Sequence, residues 1–381
     1  MPKIIISCAP RTSSYVLEEL KALGYLGKAV NKLGVEVEGT MADAMKFNLY
    51  LRSASKVLLE IKSFPAADPT QLYTALSAIA WERIVPANGY LRIESFVKND
   101  TILDTRFANL KTKDAIVDRV MKTKGKRPNS GPNVDRTVLF LHWTGQQAGI
   151  YINTSGDSIS KHGYRKIPFK APMMESLAAS TLLASRWDKR SHFINPMCGS
   201  GTLAIEAALL ACNIPPGIHR HNYGFMHTRS YDPLLWKKLL HEAKKEIVNE
   251  LDFKIIATDK DTRAIEAAKK NADIAGVAHL IDFEVCDFKD TFIPSNGPGV
   301  VFFNPEYGER LGDEKRLEGV YKAIGDFFKQ QCQGYLGYIF TGNLTLAKHV
   351  GLKTKKRIEF FNAKIDARLL EYEIYSGSKR N

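Results

Sequence analysis

The run Val300-Val301-Phe302-Phe303-Asn304-Pro305-Glu306-Tyr307-Gly308-Glu309-Arg310-Leu311 sets the reading of the whole chain. Its first four residues are apolar and bulky, and they stop abruptly at Asn-Pro-x-Tyr-Gly, the pattern of a buried strand ending in a loop. Proline fixes its own φ and keeps the residue before it out of the helical region. Asn304 is therefore expected to stay extended at the strand tip, with its carboxamide facing a cleft. Two acceptors then lie together, the Asn304 side-chain oxygen and the Pro305 carbonyl, with the aromatic face of Tyr307 close behind. Such a set suits a flat ring carrying an exocyclic NH2: the oxygens accept its N–H bonds and the tyrosine stacks on the ring. Two acceptors also draw the nitrogen towards tetrahedral geometry and free its lone pair for attack on an electrophile held in line. Taken alone, the run is more often an ordinary strand-ending turn.

The companions upstream change that balance. His192-Phe193-Ile194 reads as a strand, Asn195-Pro196-Met197-Cys198-Gly199-Ser200-Gly201-Thr202 as a glycine loop, and Leu203 to Ala211 as a helix. Glycines let a ligand approach the backbone, and a helix N-terminus favours a carboxylate or phosphate. Gly199-x-Gly201-x-x-Ala204 formally fits a dinucleotide fingerprint as well. The next strand, Lys254 to Asp259, ends in an acid suited to ribose hydroxyls, and helix Thr262 to Ala275 follows it. A third strand, Ile281 to Val285, runs into Cys286-Asp287, where a carboxylate could accept from an adenine amine. Each acid by itself is ordinarily a surface residue beside a turn. A glycine loop, two acids and Asn-Pro-x-Tyr at the carboxyl ends of successive strands mark the edge where open α/β sheets bind ligands. Tyr335 to Thr341 adds a fifth strand, and Arg357 to Phe361 with Leu369 to Tyr375 a terminal hairpin. The expected fold class is thus α/β, with a seven-stranded doubly wound sheet in the C-terminal part.

The first half of the chain alternates short strands and helices: strands at Ile4 to Cys8, Val35 to Gly39 and Val57 to Ile61, and helices at Tyr15 to Leu23 and Ala42 to Arg52. The pattern continues with helices at Pro69 to Trp81 and Thr112 to Met121, and strands at Tyr90 to Phe96, Val138 to Trp143 and Gly149 to Asn153. Between Arg106 and Arg136 lie Lys111, Lys113, Arg119, Lys122, Lys124, Lys126 and Arg127, against only Asp114, Asp118 and Asp135. Such groups contact phosphates, although a solvated helix face followed by a basic loop has the same composition. Ser155 to Lys170 reads as a connection between domains, and Ala171-Pro172-Met173-Met174-Glu175 opens a helix with proline in its first turn.

With 381 residues the chain holds two or three domains. It is 44% hydrophobic and 25% charged, ordinary for a globular protein, but its net charge of +13 favours a polyanionic partner, nucleic acid first. No apolar run approaches the roughly 20 residues that span a bilayer, and Met-Pro-Lys leads directly into a strand rather than a signal peptide. The cysteines at 8, 198, 212, 286 and 332 are odd in number and never spaced Cys-x-x-Cys, which suggests reduced thiols, a cytoplasmic setting and no structural zinc. His219, His221, His227 and Cys212 match no standard metal spacing. Asn222 to Met226, between Arg220 and Arg229, lies in an insertion that either shapes a substrate mouth or simply packs.

Taken together these residues resemble the THUMP-domain class I RNA methyltransferases, and among them the bacterial enzymes that methylate guanine N2 in 23S ribosomal RNA. The resemblance covers nearly the whole chain. It rests on Phe47 to Ser55, on Lys113 to Arg119 with Arg127-Pro128, on His162-Gly163-Tyr164-Arg165 and Ala171-Pro172, and on Asn195 to Thr202 and Asn304 to Leu311. It implies a ferredoxin-like part at 1–62, a THUMP part at 63–158 and a Rossmann-like methyltransferase domain at 159–381. The implied cofactor is S-adenosylmethionine. Gly199 to Thr202 would face its methionine end, Asp259 its ribose, and Asp287 with Phe288 its adenine, with Asn195, Pro196, Cys198 and Asn304 also among the residues that bind it. Asn304, Pro305 and Tyr307 would hold the target base. Arg106, Lys111, Lys113, Lys122, Lys124, Lys126, Arg127 and Arg165 would contact RNA, which reaches the site as one flipped nucleotide. A monomer or weak dimer without metal or membrane is expected. Two positions depart from the family pattern: Asn195 stands where aspartate is common, and Glu306 where a second proline is common. Glu306 either points outward or accepts from guanine N1–H. A tRNA guanine-N2 methyltransferase shares the architecture, a DNA amino-methyltransferase shares Asn-Pro-x-Tyr, and a non-catalytic RNA-binding or ribosome-assembly factor would explain Glu306. A nicotinamide dehydrogenase gives Asn304 and Tyr307 no role.

Overall fold

A computed structural model describes residues 1–31, 34–102, 104–169, 172–308 and 314–375. Ala171 of the Ala171-Pro172 pair and Glu309 to Leu311 lie outside the described residues. The strands are β1 (Lys3–Cys8), β2 (Lys28–Asn31), β3 (Gly34–Glu38), β4 (Ala54–Pro65), β5 (Tyr90–Lys98), β6 (Asn129–Ser130), β7 (Thr137–Thr144), β8 (Gln147–Asn153), β9 (His192–Pro196), β10 (Ile255–Asp259), β11 (Ile281–Val285), β12 (Gly299–Phe303), β13 (Leu336–Thr341), β14 (Lys356–Asn362) and β15 (Ile365–Glu373). The longer helices are α1 (Ser13–Ala22), α2 (Met41–Tyr50), α3 (Pro69–Ser77), α4 (Thr105–Lys124), α5 (Glu175–Ala184), α6 (Thr202–Ala211), α7 (Pro233–Lys245), α8 (Thr262–Ala275) and α9 (Glu314–Gln331).

The chain divides into two compact units, one of residues 1–8, 16–159 and 220–242, the other of 9–15, 160–219 and 243–381. In the first, eight strands form one sheet in the order β2-β3-β1-β4-β8-β7-β5-β6. The antiparallel pairing of β4 with β8 joins what the sequence presents as two parts. Helix α3 starts on Asp68, whose carboxylate accepts from the Thr70 and Gln71 N–H groups, with Pro69 at the first helical position. Helix α4 is capped by Asp104 and ends at Gly125 in the left-handed conformation, so it is longer at both ends than Thr112 to Met121. Lys122 and Lys124 thus stand on its last turn, where cations suit the helix dipole. Within the basic loop, Asn129 and Ser130 pair with Tyr90 and Leu91 as β6. The 220–242 insertion packs within the first unit. Tyr223 and Phe225 are fully buried and meet Trp236 at 5.3 and 5.2 Å between ring centroids. Phe225 N–H reaches the Thr154 carbonyl at 3.0 Å, and Arg220 donates to the carbonyls of Ser155, Asp157 and Ser158.

The second unit holds the expected seven-stranded sheet, in the order β11-β10-β9-β12-β13-β15-β14. β11, β10, β9, β12 and β13 pair in parallel in that order, and β15 runs antiparallel to both β13 and β14. β12 lies between two parallel neighbours, and every one of its residues is buried. Val300 and Phe302 join the core cluster that contains α6, while Val301 and Phe303 join the one that contains α9. Both faces of the strand are covered, which is why its sequence is a continuous apolar run rather than an alternating one. Helix α5 begins at Glu175, with Met174 extended as its cap, so Pro172 precedes the helix instead of occupying its first turn.

Candidate active site

The carboxyl ends of β9, β10, β11 and β12 meet at one edge of the seven-stranded sheet. After Pro196 the chain turns through Gly199 and Gly201, at φ 56° and 79°, into α6. The two glycines serve different ends. A Cβ at Gly199 would meet nothing within 4 Å, so this backbone lies open to an approaching molecule. A Cβ at Gly201 would sit 2.9 Å from Cβ of Ala268, so α6 and α8 approach closely only because 201 is glycine. The Ser200 hydroxyl, between them, is buried and has no hydrogen-bond partner.

Asp259 ties the loop to β10. One carboxylate oxygen accepts from Gly199 N–H and the other from Asp261 N–H, both at 3.0 Å. Each oxygen keeps a further lone pair for a hydroxyl. Asn195 donates its amide N–H to the Phe302 carbonyl at 2.9 Å, pinning the tip of β9 to that of β12. An ionised aspartate there would set a carboxylate against that carbonyl, a physical reason for the amide. The Asn195 Oδ1 is buried without a partner. Asp287 caps the short turn after β11 by accepting from Lys289 N–H. Phe288 packs edge-on against Phe303 and Phe327, so its ring belongs to the core. Burial, and next to it the Asp259 charge, push the Cys198 thiol well up, so it stays protonated and is no nucleophile.

At the tip of β12, Tyr307 donates its phenolic O–H to Asn304 Oδ1 at 2.9 Å. Asn343 donates to the Tyr307 carbonyl at 3.1 Å and Tyr321 to the Glu306 carbonyl at 3.3 Å, so a framework of side chains fixes the loop. The carboxylate of Glu306 faces outward and pairs with Arg316 at 2.6 Å, both side chains being 53% exposed. Of its two anticipated orientations, the outward one is present.

Sequence reasoning misses a buried polar cluster beneath the glycine loop. Glu206, fully buried, meets His162 Nδ1 at 2.7 Å and accepts from Tyr164 O–H at 2.8 Å. Arg165 pairs with Glu175 at 2.8 Å, donates to the Met173 carbonyl, and lies 3.4 Å from the Thr202 hydroxyl. Its side chain is 11% exposed, so the cation expected to meet a phosphate is turned inward by burial and by its pairing with Glu175. Burial raises the Glu175 carboxyl above its ordinary range, against the pull of Arg165. The available signal is Glu206 itself, a lone acid in the otherwise apolar helix TLAIEAALLA.

The other basic candidates belong to the first unit. Lys122, Lys124, Lys126 and Arg127 are exposed. Arg106 pairs with Asp104 at 2.8 Å and Lys113 with Asp114 at 3.0 Å, while Lys111 lies over the Phe107 ring at 5.6 Å. Among the described residues no group of three His, Cys, Asp or Glu side chains could hold a metal, and no helix is long and apolar enough to cross a membrane.

Residues 162–371 match the family described as RMKL-like, methyltransferase domain. The chain belongs to this RMKL-like methyltransferase family. Residues 3–58 match the RlmL ferredoxin-like domain and 66–153 the THUMP domain, in keeping with the fold anticipated from the sequence. A similar curated protein is the ribosomal RNA large subunit methyltransferase K/L of Syntrophotalea carbinolica, 36% identical over 94% of this chain and 51% of its own length. The chain spans about half the length of the curated relatives it matches. Two crystal structures resemble this RMKL-like chain throughout. SMU.472 complexed with SAH is 27% identical, with a TM-score of 0.88 over 99% of both chains. A predicted N6-adenine-specific DNA methylase from Listeria monocytogenes is 29% identical, with a TM-score of 0.88 over 98% of this chain and 96% of its own.

Proposed function

We propose that the chain is an S-adenosylmethionine-dependent RNA methyltransferase that acts in the cytoplasm on the exocyclic N2 amine of a guanosine in 23S rRNA. The observation that carries this reading is the Asn304–Tyr307 pair, held at the tip of β12 on the same sheet edge as the glycine loop and Asp259. The donor site fits the cofactor: Gly199 leaves an open cradle, Ser200 offers a buried hydroxyl without a partner, and Asp259 keeps lone pairs for ribose hydroxyls. When bound, S-adenosylmethionine supplies a methyl group on a positively charged sulfur. Asn304 Oδ1 and the Pro305 carbonyl accept from the amine of the base, which orients its lone pair and stabilises the positive charge that nitrogen gains. Tyr307 holds the Asn304 carboxamide in orientation and presents a face to the ring. Asp287 meets the adenine end, and Phe288 shapes that pocket from within the core. Lys122, Lys124, Lys126 and Arg127, with Arg106, Lys111 and Lys113, contact RNA phosphates.

The relatives named for ribosomal RNA favour that substrate. The name of the Listeria relative favours a second reading, transfer to adenine N6, since the same two acceptors serve that amine. Tritium transfer from labelled S-adenosylmethionine to undermodified 23S rRNA, bulk tRNA and DNA, with digestion to nucleosides, separates them. Label in N2-methylguanosine of 23S rRNA supports the proposal. Label in tRNA alone moves the substrate, and label in N6-methyladenine replaces the base. No label in any substrate, with the donor bound, refutes methyl transfer.

A further inference from the structure

Strands β4, β8, β7 and β5 turn one side to the core, where Leu91, Leu139, Trp143 and Ile150 pack with residues of α3 and α4. The other side carries a transverse row: Ser63 is paired with Gly149, Gly149 with His142, and His142 with Phe96. Residues paired directly across a sheet share a face. On this face Phe96 is 53% exposed, and its ring lies parallel to that of the exposed His142, with centroids 5.5 Å apart and planes within 11°. Tyr151, two residues along β8, lays its ring back across Gly149: a Cβ at 149 would fall 2.9 Å from it. Glycine at 149 therefore lets the phenol lie flat on the sheet beside the Phe96–His142 pair. Partial burial lowers the His142 pKa, so at neutral pH the imidazole stacks as an uncharged ring.

Charge on this face is nearly balanced. Glu94 is paired with Lys56 at 2.6 Å and Arg92 at 3.4 Å, Glu60 accepts from Ser63, and Lys98, two residues beyond Phe96, is exposed. Isolated exposed apolar side chains are ordinary. A parallel aromatic pair open on a sheet face, with a third, partly buried ring alongside, is the arrangement on which unstacked bases lie. A near-neutral face of this kind attracts bases rather than phosphates, and the chain's +13 charge favours nucleic acid as their source.

We propose that Phe96, His142 and Tyr151 form a stacking platform for the unpaired bases of single-stranded RNA, with Lys98 meeting the adjoining phosphate. The proposal rests on the reading of RNA as substrate and adds a second contact, distinct from the methylated nucleotide and from the cations of α4. The test is anisotropy of labelled ten-nucleotide oligo-U and oligo-A on the full chain, across a salt series. Phe96→Ala and His142→Ala are each expected to weaken binding about 5- to 100-fold, with the slope of log affinity against log salt unchanged because every phosphate keeps its cation. Phe96→Trp is expected to keep the affinity and to show emission quenching when RNA binds. Gly149→Val, which displaces the Tyr151 ring, is expected to weaken binding. Thermal melts within about 3 °C of the parent verify that the half-exposed Phe96 and His142 sites leave the fold intact. Affinities within twofold of the parent for both alanine variants, with no quenching, overturn the platform. So does sedimentation showing self-association that Phe96→Ala abolishes, since the face would then join copies of this chain. Methyl transfer to 23S rRNA by the parent is measured in parallel. Transfer with variant-insensitive binding sinks the platform alone; variant-sensitive binding without transfer sinks only the methyltransferase reading.

Discussion

Substituting alanine at each loop glycine in turn should separate stability from ligand binding. Gly201→Ala places a Cβ 2.9 Å from Ala268 at a residue with φ 79°. The left-handed backbone costs about 1–2 kcal/mol and overpacking between two helices about 1–3 kcal/mol. A loss of about 2–5 kcal/mol is expected, which lowers Tm by about 4–20 °C at roughly 2–4 °C per kcal/mol for a domain of this size. Gly199→Ala has φ 56° but no neighbour within 4 Å, so only the backbone cost of about 1–2 kcal/mol applies. Its Cβ projects into the open cradle, and the dissociation constant for S-adenosylhomocysteine is expected to rise at least about tenfold, a loss of about 1.4 kcal/mol or more. Differential scanning calorimetry and isothermal titration on both variants give the four numbers needed. A Gly199→Ala protein that binds the ligand like the parent refutes the cradle. A Gly201→Ala protein that melts like the parent refutes the helix contact.

Other expectations concern single side chains. Asn304→Ala should lower kcat by about 10²–10³, as removal of one preorganised polar group does elsewhere, with Tm almost unmoved; methyl transfer within threefold of the parent would remove Asn304 from the chemistry. Glu306→Gln breaks a half-exposed ion pair worth about 0–1 kcal/mol and should leave the choice between guanine and adenine unchanged, as nucleoside analysis of the product would reveal. Glu206→Ala leaves the buried Tyr164 hydroxyl and His162 ring without their carboxylate and should destabilise the protein by about 2–5 kcal/mol in urea unfolding; a change under about 0.5 kcal/mol would contradict the cluster. Replacing Lys122, Lys124, Lys126 and Arg127 by glutamine should reduce the slope of log affinity against log salt by about 0.7 for each phosphate that one of them neutralises, and an unchanged slope would place the phosphates elsewhere.

The parts of the fold that are legible in the sequence are those specified locally. β12 announces itself because a strand buried on both faces must be apolar throughout, and Pro305 ends it by covalent geometry. The glycine loop and the acids at 259 and 287 sit next to the strands that position them, so their order along the chain is their order around the sheet edge. Helix α4 reads as shorter than it is because the turns before Thr112 bury only Ala108, a small residue with a weak periodic signal, and its last turn is basic. β6 reads as loop because a two-residue strand exists only through a partner some forty residues earlier. Arg165 looks like a surface cation for the same reason: its partner acid and its neighbour Thr202 come from other elements. The inward or outward direction of a charge is set by three-dimensional neighbours, and spacing does not encode it.

The insertion at 220–242 has a consequence for the order of events during synthesis. Its aromatic cluster completes the unit formed otherwise by residues 1–8 and 16–159, yet it lies some 60 residues further along the chain. At roughly 5–20 residues per second, the ribosome needs about 4–17 s to travel from residue 159 to residue 242. During that interval the Thr154 carbonyl and the backbone from Ser155 to Ser158 lack the partners that Phe225 and Arg220 later supply. The N-terminal unit therefore emerges unfinished, and its last piece arrives only after the first strand and glycine loop of the methyltransferase sheet have been made.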